Sequence, residues 1–278
     1  MIIIFNQKKL NTMKIRNYLL LSLTFLLLNC SSSNDEEILN NGQTAEKNLV
    51  KMTGANDHWL NYENGKITKA WDNSHTYRSQ MVYNSDGTIS KEYRDGTGNT
   101  SSDNENFEWE IPVSDSYIEN VYENGKLKYI MENDGGVAEK LIEYTYQGDL
   151  VVEKRKYSSG SLYRYFRYEY NNQNELVTII WDESPSGGSS HTLQVTFDDK
   201  INPYYKIWKE TKLTFWYAQA GPARHNLEFY PYNILSIKEG VNDVWYNAFF
   251  TYNEDNLPIT MHINEGTGAG DDNYFEYQ

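Results

Sequence analysis

A tyrosine, a short polar turn and an alternating strand recur in that order along this chain of 278 residues. No other feature limits its fold so closely. Tyr62-Glu-Asn-Gly65-Lys-Ile67 returns almost verbatim as Tyr122-Glu-Asn-Gly125-Lys-Leu127. Looser copies begin at Tyr83, Tyr146, Tyr170 and Tyr252, and neighbouring copies lie 21 or 24 residues apart. That spacing is the length of one hairpin with its turns. Asn-Gly supplies two consecutive residues at positive φ, as a type I′ hairpin turn requires. The doublets Tyr144/Tyr146, Tyr168/Tyr170, Phe250/Tyr252 and Phe275/Tyr277 place two rings on one face of a strand. Helical periodicity is not sustained past residue 57. The expectation is an all-β antiparallel meander of repeated hairpins over residues 58–278.

The units resemble the YD/RHS-type repeat, written Y-x-Y-[DN]-x-x-G-x-[LI], over most of residues 58–277. Tyr-Asn replaces the usual Tyr-Asp at Tyr83-Asn84, Tyr170-Asn171 and Tyr252-Asn253. The resemblance implies antiparallel meanders that wrap or stack. It implies architecture far more than activity.

One stretch departs from the repeat. Phe197-Asp-Asp-Lys-Ile-Asn202-Pro203 starts like a hairpin, but its return strand arrives only near Asn233. Asn-Pro begins a turn and bars helix at Asn202. The excursion near 202–233 is rich in aromatics, and a long loop is either functional or packed. Tyr204, Tyr205, Trp208, Trp216 and Tyr217 are therefore the candidate binding surface. The other reading makes the excursion a lid that packs those rings into the core.

The only cysteine, Cys30, follows a basic stretch (Lys14, Arg16) and an apolar run of 11 residues from Tyr18 to Leu28. The run is too short to span a bilayer and has the form of an export signal. Leu27-Leu28-Asn29-Cys30 resembles the lipobox of a lipoprotein of Bacteroidetes-type bacteria, with Asn29 in place of the usual small residue. The resemblance implies a signal peptide at 1–29 and two acyl chains on Cys30, enough for stable membrane anchoring. Met13 is an alternative start. Residues 30–57, with Asp35-Glu36-Glu37, are expected to be a polar tether. Ser31 after the cysteine implies the outer membrane, facing either the periplasm or the cell exterior.

Charge narrows the partners. The signal takes with it Lys8, Lys9, Lys14 and Arg16, so 21 of the 25 basic residues remain against 39 acidic ones, a net charge of −18. Nucleic-acid binding draws on Lys and Arg displacing counterions, which excludes nucleic acid as a partner. A glycan or an envelope protein stays open. With Cys30 acylated no thiol remains, so burial of the 41 aromatics must hold the fold.

No catalytic residue, metal ligand or cofactor is assigned. His58, His75, His191, His225 and His262 share no HxxxH or HExxH spacing. Gly187-Gly-Ser-Ser-His191 has no nucleophile-elbow context and reads as a loop. Val82 to Tyr93 fails as a calcium loop because both end positions should be acidic. Asp95 to Asp103 and Glu265 to Asp272 are expected to be solvated. A non-catalytic binding or structural role is expected. The alternatives are a glycoside-directed hydrolase using surface Asp and Glu, and an adhesin or toxin-associated repeat protein.

Overall fold

The computed structural model describes residues 47–54, 57–72, 78–95, 116–182, 188–213, 227–240, 243–264 and 270–278. Cys30, the segment before it, Trp216 and Tyr217 lie outside them. The first strands are β1 (Leu49–Thr53), β2 (His58–Glu63), β3 (Lys66–Asp72), β4 (Arg78–Tyr83), β5 (Ile89–Asp95) and β6 (Tyr117–Glu123). Then come β7 (Lys126–Asp134), β8 (Val137–Gln147), β9 (Leu150–Ser158), β10 (Ser161–Tyr170), β11 (Leu176–Asp182) and β12 (Ser190–Ile201). A helix, α1 (Pro203–Thr211), precedes β13 (Tyr232–Glu239), β14 (Asp243–Tyr252), β15 (Pro258–Asn264) and β16 (Asp271–Tyr277).

Each strand pairs antiparallel with the next, as the hairpin repeat predicts, and β16 then pairs with β1. The meander thus closes into a barrel of 16 strands, which the hairpin pattern alone did not predict. Leu49 faces Tyr277 and Met52 faces Phe275 across the seam. β1 falls inside the stretch expected to be tether, because closure gives Leu49 and Met52 a buried place in the core.

The repeated tyrosine has a definite structural task. The ladder slips at Tyr62, Tyr83, Tyr122, Tyr146, Tyr170 and Tyr252, marking a bulge at each. Tyr83 then donates its hydroxyl to the carbonyl of Ile67 at 2.6 Å, Tyr122 to Ile89 at 2.7 Å and Tyr146 to Leu127 at 2.9 Å. Tyr170 likewise donates to Val151 at 2.8 Å and Tyr277 to Pro258 at 2.9 Å. In every case the acceptor begins the return strand of the preceding hairpin. The motif therefore encodes two bonds at once, a turn within its own hairpin and a clamp on the previous one. The Asn-Gly turns take the expected form, with positive φ at Asn64, Gly65, Asn124 and Gly125.

The described parts of the excursion between β12 and β13, residues 202–213 and 227–231, pack into the barrel core. Sixteen strands enclose more space than their own side chains fill, and this segment occupies part of it. Asn202 holds both ends of the excursion. Its Oδ1 accepts from the Tyr204 amide at 3.0 Å, its Nδ2 donates to the Tyr230 carbonyl at 2.9 Å, and its amide donates to the Pro231 carbonyl at 2.8 Å. Asn202 is thus outside the helix, as Asn-Pro requires, but it caps α1, a helix that periodicity did not predict. Pro203 fits the first helical position and Lys212, in the left-handed region, ends the helix.

Of the candidate binding surface, Tyr204 and Trp208 are buried, as the lid reading has them, and Trp216 and Tyr217 lie outside the described residues. Tyr204 is 1 % and Trp208 7 % exposed, packed against the barrel wall and the returning chain. Tyr204 meets Phe275 and Met52, and Trp208 meets Phe229. Tyr205 is half-buried against the same core. The rings fill the core because the barrel would otherwise be hollow there.

The outward face is charged across β7–β10, while Phe249, Ile259 and Tyr274 are exposed on β14–β16. Across β7–β10 Glu143 pairs with Lys128 at 3.8 Å and Lys140 at 3.3 Å and accepts from the Tyr157 hydroxyl at 2.8 Å. Arg155 pairs with Glu153 at 2.6 Å, and Lys140 stands 4.3 Å from the Tyr129 ring centre.

Candidate functional site

Charge reaches the barrel interior at several places, Asp72 and Glu92 among them, and two others bear on a site. The first is structural. Glu228, on the returning arm of the excursion, accepts from Lys154 Nζ at 2.6 Å and from the Tyr144 hydroxyl at 3.1 Å. Both charged side chains are 3 % exposed. Burial pushes the Glu228 carboxyl up, but Lys154 acts by charge and hydrogen bond, and the net direction is down. The pair is complete and ties the excursion to β8 and β9.

The second place is an inward-facing strip at the end of the barrel away from α1. It is built by register. Lys156 on β9 faces inward because its partner across the ladder, Ile142, is a core residue. On its other side Lys156 stands directly opposite Arg164 of β10. Trp181 of β11 is paired with the buried Phe166, so it shares the inward face. His191 of β12 lies opposite Trp181. Glu239 of β13 is paired with the buried Leu193, two residues beyond His191. Trp245 follows a slip in the β13–β14 ladder, which turns its ring toward the same place.

The aromatic part is tightly assembled. Trp181 and Trp245 meet edge to face with centres 5.4 Å apart. His191 wedges between them at 5.4 Å from Trp181 and 4.8 Å from Trp245. Phe166 stacks on Trp181 at 6.1 Å. Such contacts are worth about 0.5–1.5 kcal/mol each beyond area burial. His191 Nδ1 lies 3.1 Å from both carboxylate oxygens of Glu239, which orients the imidazole. The guanidinium of Arg164 stands 5.7 Å from the centre of the Trp181 ring.

Lys156 closes the strip. Burial lowers its ammonium most, Lys154 and Arg164 lower it further, Glu228 opposes them, and the result is about 7. Among the described residues no carboxylate forms an ion pair with Lys156 or Arg164. The Trp181 indole N–H is buried and also lacks a partner among the described residues.

The strip offers flat apolar faces beside two cations and an imidazole–carboxylate pair. That combination can hold a ring-shaped polar ligand by stacking and hydrogen bonding. None of its residues was singled out in the sequence as a binding group, and His191 was read as part of a loop. The available signal was the inward parity of Trp181, two residues after Ile179 on an alternating strand. A crevice lies elsewhere, between α1 and the rim at Asn48, Tyr62, Leu257 and Tyr277. It carries no comparable convergence of charge and rings.

No protein-family model matches the chain, and no curated protein matches it significantly. Among solved structures it is similar to a porin-like protein from Bacteroides uniformis, with TM-score 0.49 and 10% identity, covering 84% of this chain and 95% of that one. It is also similar to a porin-like protein from Bacteroides vulgatus, with TM-score 0.46 and 13% identity over 83% of this chain and 99% of that one. A third similarity is to the Photorhabdus luminescens Tc holotoxin pore, with TM-score 0.32 and 12% identity over 81% of this chain and 12% of that one.

Proposed function

We propose that the protein is a lipid-anchored binding protein of the cell envelope, without chemistry of its own, whose ligand enters the end of the barrel away from α1. The observation that carries this reading is the convergence of Trp181, His191 and Trp245 with Glu239 and Arg164 on one inward-facing strip. Stacked aromatic rings with oriented polar groups beside them are how a site grips a sugar. The charged outward face of β7–β10 supports a barrel standing in water and not in lipid, since a membrane-spanning barrel presents an apolar band there. The membrane attachment is then the lipid on Cys30, read from the lipobox-like sequence. On this reading the hairpin units are degenerate relatives of the YD/RHS repeat, wound once into a barrel.

The test is a glycan and peptidoglycan binding array probed with wild type and Trp181→Ala/Trp245→Ala. The reading expects sugar binding by the wild type that the double variant loses. Absence of any glycan signal at high protein concentration sinks it. The anchor is tested separately, by palmitate labelling and by the membrane fraction of Cys30→Ala.

A further inference from the structure

We propose that Lys156 and Arg164 form a carboxylate subsite, so that the strip takes an acidic sugar whose ring lies against Trp181. This rests on the reading of the strip as the ligand site.

Three observations lead there. Lys156 and Arg164 are direct cross-strand partners on the inward face, and like charges placed directly opposite each other destabilise a sheet. Among the described residues, the acid that acts on Lys156, Glu228, and the acid of the strip, Glu239, are already engaged. Glu228 is held by Lys154 and Tyr144, and Glu239 by His191. Arg164 lies over the Trp181 ring, and a planar guanidinium over a ring still presents its N–H fork, which fits a carboxylate in bidentate fashion. A single anionic group between the two cations would remove the repulsion and lie within reach of the ring that stacks on the sugar.

The depressed ammonium of Lys156, lowered first by burial and then by Lys154 and Arg164 against the opposing Glu228, agrees with this, since an anion bound beside it would raise it again. The net charge of −18 after signal removal works against long polyanions, while a short acidic sugar meets a local field set by Lys156 and Arg164. Bare inorganic anions share the charge but not the ring. The aromatic neighbours therefore favour a sugar carboxylate over phosphate.

The experiment is calorimetric titration of the full chain in detergent with glucuronate, glucose, acetate and inorganic phosphate. Glucuronate is expected to bind about tenfold or more tighter than glucose, the gain of one charge-assisted hydrogen-bonding contact. Acetate and phosphate should bind more weakly than glucuronate. Arg164→Gln, at an exposed position that leaves the fold intact, should bring glucuronate down to the glucose affinity. Arg164→Lys should keep part of the difference, and Lys156→Gln should act like Arg164→Gln. Equal binding of glucose and glucuronate overturns the subsite while leaving the aromatic site standing. Phosphate or acetate binding as tightly as glucuronate overturns the sugar. No binding by any of the four removes both readings.

Discussion

The hydroxyl of Tyr146 donates to the carbonyl of Leu127, 2.9 Å away and 19 residues earlier, in the neighbouring hairpin. Tyr170 repeats the bond to Val151 over the same 19 residues, and Tyr277 to Pro258. The bulge at each tyrosine takes one carbonyl out of the regular ladder and turns a ring toward another. The barrel is therefore stitched at one end by side chains as well as by its strands.

Phenylalanine at these positions keeps the ring and removes the stitch. Tyr146→Phe and Tyr170→Phe should each cost about 1–2 kcal/mol in urea unfolding, because a partly buried carbonyl loses its donor. Tyr274→Phe, on an exposed ring, should stay within about 0.5 kcal/mol of wild type. If all three variants unfold together with wild type, the stitch contributes nothing.

Removing one partner of the buried pair leaves the other uncompensated. Glu228→Gln should destabilise by about 3–5 kcal/mol, whereas Lys154→Met with Glu228→Leu should cost much less. The folded carboxyl of Glu228 lies below its ordinary value. Its contribution is therefore present above the unfolded carboxylate value of about 4.3 and is lost as pH falls through the folded value. The double variant should lose less stability than wild type between pH 5 and 3, read by thermal melts.

Lys156 acts with the same sign of slope in a higher pH window. Its folded value of about 7 lies below that of an unfolded lysine, near 10.4. Between those limits the unfolded chain holds a proton that the folded one has released, so stability rises with pH. The buried hydroxyls of Tyr144 and Tyr168 are raised by burial, and their contribution is lost as pH climbs past about 10. Lys156→Met should melt higher than wild type at pH 7 and show a flatter rise from pH 7 to 9. An unchanged slope would exclude a buried ammonium at this position.

Asn202 joins the helix start to the returning chain. Asn202→Ala should cost roughly 1–2 kcal/mol for the lost cap. It should also speed amide exchange within 203–211 and 227–231 before the strands respond. Uniform exchange across the barrel would mean that the excursion has no independent opening.

Much of the wall was legible in the residues. Asn64-Gly65 and Asn124-Gly125 dictate tight turns, and the alternation around them dictates strands of matching length. The alternation from Lys126 to Met131 is irregular. The slip between Val121 and Tyr122 explains it, since one residue of the return strand falls outside the pairing. The aromatics on both faces of β10 also separate once the wall is closed. Phe166 and Tyr168 point in, while Tyr165 meets Glu153 outside.

Turn type and hairpin length are set by neighbours in the chain, so the sequence alone determined them. Closure of β16 on β1, the inward course of α1 and the meeting of Lys156, Arg164, Trp181, His191, Glu239 and Trp245 were decided only in three dimensions. Closure depends on twist and stagger accumulated over all 16 strands. The volume so enclosed then makes burial of Tyr204 and Trp208 more favourable than exposure. Each strip residue is one unremarkable letter on a separate strand, and only the common height imposed by the ladder brings their chemistry together.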